Sequence, residues 1–467
     1  MDDTAFCEAT FFNFQNRLLK HFVETGENLL ETVFDGLTKE QLKKLKIKTD
    51  IQRSDSFMAM SNIRSYGRVQ LLIEMLIRLY RILKEEDKER FKDMLEYTKQ
   101  TSGQYIYKLE RTEIPRELEK LGEIYHKLYQ ALKDRYKEVE IFSLFERVYQ
   151  EHFTVVKNKA TVKKNEELHS GIIQSPDDID ATYRKKDKKI AKGQSANVTE
   201  TANPENGLNL LTDIAVKPNN TDDSDILNGR IETLKEKTPD LKDHTLTGGY
   251  GSEDNDQKFE ELGITHIQTA VRGRKSKVEM KIEEIEGEYE VSCPLQKVVS
   301  EKTRSRYKAC FDKKICAGCS LAGDCPALIQ KRVYYFTREQ YLKNKRKRNI
   351  NTLPHKRRKL RPNVEATIKE FVKPLNHKGK LRIRGQFKTM MYACSMGISI
   401  NFGRIHRYLA VNPNLSGLLG LMKAGNRLFF KNLFQVGQKL LPIFRFVFFM
   451  VKFHQLPNFE IKCWQFV

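Results

Sequence analysis

Phe11, Phe14, Leu18 and Phe22 recur three and four residues apart in an otherwise polar stretch, which predicts a helix over residues 8–36. The same period returns over 62–153. There Leu118, Leu121, Tyr125, Leu128 and Leu132 form an apolar stripe on a charged helix, the pattern of a packed bundle with one solvated face. Residues 158–192 are polar, with Ser175, Pro176 and several aspartates, and read as a linker or surface loop. Two β-type runs follow, 195–200 and 208–217. A helix is then predicted over 222–236 with Thr221 as its N-cap, because a hydroxyl there can accept from an orphan backbone N–H. A short strand leads into Gly248-Gly249-Tyr250-Gly251, a helix spans 253–262 and a strand spans 264–271. Residues 278–291 predict a hairpin turning at Gly287. Strands alternating with helices in this way predict a mixed α/β core, and no internal repeat is evident.

Composition narrows the partners. A chain of 467 residues can hold two or three domains, each with its own core. Its most apolar stretch, 440–453, is short and interrupted by Pro442, Arg445 and Lys452, so a buried or unrelated tail is expected rather than a membrane segment. Asp2, Asp3 and Glu8 stand where an export signal would be basic and then apolar, so a cytoplasmic protein is expected. The net charge of +22 favours a polyanion, since neutralising phosphates releases their counterions. Eight cysteines in such a chain point to free thiols or metal ligands rather than disulfides.

Three constellations carry candidate chemistry. In Arg53-Ser54-Asp55-Ser56-Phe57, Asp55 ends a short extended stretch and can present its carboxylate to a metal ion, or else cap a following helix. Pro362 suits a first helical turn, which sets Glu365 one turn in, beside a buried stripe of Val364, Ile368 and Phe371. The plain alternative for Glu365 is a surface pair with Lys369. Ten Lys or Arg and no acid lie between Lys343 and Arg361, and Lys378, Lys380, Arg382 and Arg384 then alternate as on one face of a strand. Lys345, Arg346, Arg348, Arg357, Arg358, Arg361, Lys380, Arg382 and Arg384 are the expected DNA-phosphate contacts, against ordinary solvated charge as the alternative. Among Cys293, Cys310, Cys316, Cys319 and Cys325, the Cys316-x2-Cys319 bite suits a tetrahedral ion. Cys293, Cys316, Cys319 and Cys325 are the preferred Zn2+ set, with a reduced thiol cluster as the alternative.

Taken in order, the segments 53–63, 222–256 and 361–371 resemble three signature regions of bacterial insertion-sequence DDE transposases, in a subgroup with a helical insertion after the first aspartate and a Cys-rich insert before the glutamate. The resemblance runs from about residue 8 to about residue 409. It implies an RNase H-like mixed sheet in which Asp55 and Glu365 are the first and third catalytic carboxylates. With a second aspartate they would hold two Mg2+ or Mn2+ ions for in-line displacement at a phosphate. It also implies double-stranded DNA partners, namely the element's terminal repeats and its target, and a homo-oligomer on DNA in the nucleoid. Arg361, four before Glu365, resembles the Arg-x3-Glu spacing of related transposases, whereas Lys373 falls one position off.

This sequence departs from the family at the second aspartate. The slot before Gly248-Gly249-Tyr250 holds Thr247, a neutral hydroxyl, and Asp243 lies about 13 Å upstream along an extended strand. Family members also carry more helical sequence before the segment matching Glu8, so a degenerate copy is expected. The expected organisation is a remnant of an N-terminal helical DNA-binding domain (1–50); the first part of the core (51–275), interrupted by a helical insertion (64–153); a Cys-rich insertion (276–330); a basic segment and C-terminal core helices carrying Glu365 (331–410); and a divergent tail (411–467). Two rivals remain: a non-catalytic DNA-binding protein derived from a transposase, and a structural zinc protein whose basic face binds RNA or another acidic partner.

Overall fold

The computed structural model describes residues 8–412 apart from 94–95, 187–188, 269–277, 330, 355–360 and 376–378. Its centre is strand β1 (Ile51–Met60), which pairs on opposite edges with two partners that run in opposite directions. After the helical region come a hairpin, β2 (Phe153–Val156) and β3 (Lys159–Val162), and then β4 (Thr182–Lys186), β5 (Lys189–Thr201) and β6 (Leu211–Pro218). β5 is thirteen residues long and serves three neighbours: its start pairs with β4, and its remainder lies between β1 and β6, all antiparallel. β7 (Asp243–Leu246) and β8 (Thr265–Gln268) continue the sheet beyond β1 in parallel. Across this mixed sheet the order is thus β6, β5, β1, β7, β8, with β4 beside the start of β5.

A central strand buried on both faces is normally an apolar run. β1 instead buries Gln52, Arg53 and Ser54, and each is satisfied by a side chain far away in sequence. Gln52 bonds Thr238 (2.7 Å) and Thr212 (2.7 Å), Ser54 bonds Thr199 (2.6 Å) and His244 (2.7 Å), and Arg53 pairs with Glu200. The strand therefore holds through partners its own sequence does not announce.

Helices cover both faces. On one side Leu29–Lys44, Arg361–Val372 and Gln386–Val411 pack Val33, Phe34, Phe371 and Ile398 against Phe57, Ala59, Ala196 and Val198. Phe259, Ile231 and Leu234 belong to a second core that covers the other side with Leu246 and Tyr250. A separate apolar core joins the helices Arg68–Ile82, Ile114–Tyr136 and Glu140–His152, where Leu121, Tyr125, Leu128 and Leu132 are fully buried as the stripe predicts. A fourth core gathers β9 (Lys281–Ile285), β10 (Glu288–Ser292), β11 (Lys297–Val299), β13 (Tyr307–Cys310) and β14 (Val333–Phe336) with the helix Arg338–Thr352, while the exposed β12 (Glu301–Lys302) pairs with β13. Gly287, at φ +85°, turns the predicted hairpin between β9 and β10.

Several expectations change. Residues 8–36 form parts of two helices, Glu8–Thr25 and Leu29–Lys44, because Gly26 takes φ +74° and Asn28 caps the second. The supposed linker 158–192 contains β3 and β4. The helix over 222–236 breaks at Gly229 into Asp223–Asn228 and Ile231–Lys237, and its first residue is preceded by Asp222, not Thr221, as N-cap. Asp55 sits mid-strand rather than at a strand end, and it caps no helix. The basic run from Lys343 is helical up to Thr352, and 380–384 makes a single bridge, Met60 to Lys380, instead of a strand. Residues 413–467, which include the apolar tail stretch, lie outside the described residues, as do 269–271 of the strand expected over 264–271. No helix among the described residues is long and apolar enough to cross a membrane.

Candidate active site

Alternation along β1 sends Arg53, Asp55, Phe57 and Ala59 to one face and Ser54 and Ser56 to the other. Parallel pairing of Ser54 with Leu246 brings the next residue of each strand side by side, so Thr247 meets Asp55. The Thr247 hydroxyl donates to Asp55 Oδ1 at 3.2 Å, and the Ser56 N–H donates to the same oxygen at 2.9 Å. The residue that the family resemblance puts in the second-aspartate slot is thus adjacent to the first aspartate. It contributes a hydroxyl there, with no charge.

Asp223 is the acidic neighbour that the sequence did not single out. It opens the helix Asp223–Asn228, accepts from the Ser56 hydroxyl at 2.9 Å and fills the space beside Gly249, where an added Cβ would come within 2.9 Å of its Oδ2. Tyr250, fully buried, accepts from Asn197 at 2.6 Å. Burial, and then the charges of Asp223 and Asp55, push its hydroxyl well above the usual tyrosine range. Both carboxylates therefore act on one phenol. Nothing in the sequence marks Asp223 apart from its neighbours Asp222 and Asp225; only the packing against Gly249 does.

Glu365 lies on the helix Arg361–Val372, which crosses the Asp55 face of β1. Phe371 stacks at a tilt on Phe57 with ring centres 5.5 Å apart, and the Thr367 hydroxyl reaches Glu200 at 2.8 Å. Of the predicted stripe, Phe371 is buried and Ile368 packs against the same core; the Val364 side chain lies outside the described residues. Glu365 itself is exposed. Among the described residues no group of three or more His, Cys, Asp or Glu side chains stands in a metal-holding arrangement. Asp55 and Glu365 are thus on elements packed against each other, without a closed carboxylate cage.

The basic residues divide. Arg346 is only 6% exposed, bonded to Asp256 at 2.7 Å and packed against Gly251, so it leaves the exposed basic surface. Asp256 in turn contacts His266 at 2.7 Å, which fastens the Arg338–Thr352 helix to the sheet edge. Lys345 and Arg348 reach the acids Glu260 (3.3 Å) and Glu283 (3.1 Å). Lys380 donates to the Ile63 carbonyl at 2.5 Å, and Arg384 to that of Asn62 at 2.9 Å, while Arg382 is exposed. Arg357 and Arg358 lie outside the described residues; Arg361 is placed as the first residue of its helix, but its side chain is not described.

Cys293, Cys316, Cys319 and Cys325 line one small pocket together with Met280, Phe311 and Ala327. Cys310 is exposed, and none of the five is in a disulfide. Gln296 donates to the Cys316 sulfur at 3.2 Å. Burial, followed by the neighbouring Cys325, raises the Cys316 thiol above its ordinary value. The pocket brings together four thiols, two of them, Cys316 and Cys319, from one turn of chain, and they do not stand in a metal-holding arrangement.

Residues 290–406 match the family described as Transposase DDE domain, which supports a DDE transposase. The matched segment includes the thiol pocket, the Arg338–Thr352 helix and Glu365, and excludes Asp55 and Thr247. No curated protein and no solved structure matches the chain.

Proposed function

We propose that the chain is a transposase of the bacterial insertion-sequence DDE type, built on an RNase H-like core, and that this copy has lost strand cleavage through the threonine at position 247. The observation that carries the reading is the Thr247–Asp55 hydrogen bond between adjacent parallel strands. The mixed sheet in the order β6, β5, β1, β7, β8, with helices on both faces, is compatible with the α/β core that this reading needs. Asp55 and Glu365 are then the carboxylates that would hold Mg2+ or Mn2+. When bound, such ions activate a water or 3′-hydroxyl and steady the leaving oxygen. Two carboxylates and a hydroxyl suit one weakly held ion better than two, because a neutral oxygen cannot balance a second divalent charge.

Within this reading Arg382, Lys345, Arg348 and Arg384 hold backbone phosphates of double-stranded DNA, acting as an oligomer on element ends in the cytoplasm, and Cys293, Cys316, Cys319 and Cys325 hold a structural Zn2+. The net charge of +22 also supports the second reading, a DNA-binding protein without cleavage. A Mg2+-dependent nicking assay on the element's own ends separates the outcomes. The unaltered protein is expected to bind and not cut, and Thr247→Asp to restore cutting that Asp55→Asn removes again. Robust cleavage by the unaltered chain overturns the loss of activity. Salt-sensitive binding with no cutting by Thr247→Asp favours the second reading.

A further inference from the structure

The Asp55 face of β1 carries a buried charge network that the proposed chemistry does not use. Glu200, on β5 directly opposite Arg53, is fully buried, and Arg53 is 4% exposed. The Arg53 Nε donates to Glu200 Oε1 at 2.7 Å. Arg404, from the helix Gln386–Val411, donates to Glu200 Oε2 at 2.6 Å and to Glu370 Oε2 at 2.7 Å. The Thr367 hydroxyl lies 2.8 and 2.9 Å from the two Glu200 oxygens, able to donate to either, and accepts from Arg404 at 2.7 Å. The fully buried Glu200 faces two guanidinium groups, and Arg404 carries the network out to the part-exposed Glu370, which Arg407 also reaches; a buried carboxylate needs such partners. Burial works against the Arg404 charge, but Glu200 and Glu370 outweigh it and raise its affinity for the proton.

The position of this network is informative. Arg53 is two residues before Asp55 on the same face of the same strand, and Thr367 is two residues after Glu365 on the helix that crosses it. At its far end that helix is held by Phe371 packed on Phe57 and by the Tyr392 hydroxyl, which donates to the Phe371 carbonyl at 2.7 Å. Nearer Glu365, the Thr367 hydroxyl is held by Glu200 and Arg404, and Arg404 also grips the helix through Glu370 beside Phe371.

Resting on the reading of Asp55 and Glu365 as the metal carboxylates, we propose that Arg53, Glu200, Thr367 and Arg404 are positioning residues which set the rotation and register of the Glu365 helix, and so hold its carboxylate where one divalent ion can reach both it and Asp55. An apolar helix–sheet contact tolerates small rotations, whereas a bifurcated hydroxyl–carboxylate contact held by two guanidinium groups does not. Misplacement by about 1 Å is enough to weaken a preorganised site.

The test is Mn2+ binding by the full chain, read as loss of the free-ion EPR signal, with thermal unfolding followed in parallel. Asp55→Asn and Glu365→Gln are each expected to abolish the site. Thr367→Val keeps volume and leaves Glu200 and Arg404 with their other partners. It is expected to weaken Mn2+ binding about tenfold in the chain that remains folded, whatever it does to the melting temperature. Arg404→Lys, which keeps the charge but loses the fork, is expected to do the same. If Thr367→Val and Arg404→Lys both bind Mn2+ as the unaltered chain does, while Asp55→Asn and Glu365→Gln do not, the network is structural only and the proposal is overturned. If Asp55→Asn and Glu365→Gln bind as the unaltered chain does, the shared metal site falls, and this proposal with it.

Discussion

The helical region spanning Arg68 to His152 and the mixed sheet bury themselves by opposite means. The helices meet through Leu76, Leu121, Tyr125, Leu128, Phe145 and Val148, apolar side chains placed by a 3.6-residue period within each helix. The centre of the sheet meets through Gln52, Arg53, Ser54, Thr199, Glu200 and His244, polar groups whose partners lie 145 to 190 residues away for Ser54 and 147 for Arg53. Non-directional burial tolerates some repacking, whereas a buried charge tolerates only its own partner. The difference suits the proposed work: one region needs bulk, the other needs fixed directions beside Asp55.

Breaking each region in turn sharpens the contrast. The largest effect is expected from Glu200→Leu, which strands Arg53 and Arg404 in the core. A destabilisation of about 3–5 kcal/mol is expected in denaturant unfolding, accompanied by loss of Mn2+ binding. Leu128→Ala should cost somewhat less, about 3 kcal/mol for the lost contacts and the cavity, and leave Mn2+ affinity untouched in whatever fraction stays folded. A Leu128→Ala chain that folds well but no longer binds the ion would contradict the division of labour.

The effect that is smallest per step, counted for each pH unit, is one of protonation. His152, at the end of the helical region, and His244, under β1, are both held down to about 3, each mainly by burial, with Arg68 and His266 respectively as the next cause. Their folded values lie below the ordinary 6.5, so the unfolded chain takes up protons first as pH falls. Stability is therefore full above about pH 6.5 and declines as pH falls toward 3, by about 1.4 kcal/mol per pH unit for each histidine. His152→Gln and His244→Gln should each lower that slope by about one proton. Slopes unchanged in both would show that neither histidine is neutral in the folded chain.

Much of the architecture could be read from the chain. Periodicity located the helices at Leu118 to Leu132, the strands β5 to β8 and the turn at Gly287, because each of these signals lies within a few neighbouring residues. The candidate site was partly legible: Pro362 placed the helix of Glu365, the Gly-Gly-Tyr turn pointed to position 247, and the cysteine spacing marked four thiols that share a pocket. Asp55 was misjudged as a strand end, since a run as polar as Gln52-Arg53-Ser54-Asp55-Ser56 looks unlike an interior strand until Glu200, Thr199 and His244 are set beside it. Arg346 was misjudged for the complementary reason: a basic residue in a basic run gives no local sign that Asp256 and a glycine will draw it inward.

The sequence by itself therefore determined the strongly periodic elements, the strong positive charge and the residue types available for chemistry, all of which depend on local spacing or simple composition. Tertiary structure alone decided that position 247 touches Asp55, that Asp223 stands beside Gly249, and that Arg53 and Arg404 converge on Glu200 under the Glu365 helix. Those facts rest on pairings between separate elements, 192 residues apart for Thr247 and Asp55, where charge and hydrogen bonds select a partner by direction and distance in space, and no period in the chain records that choice.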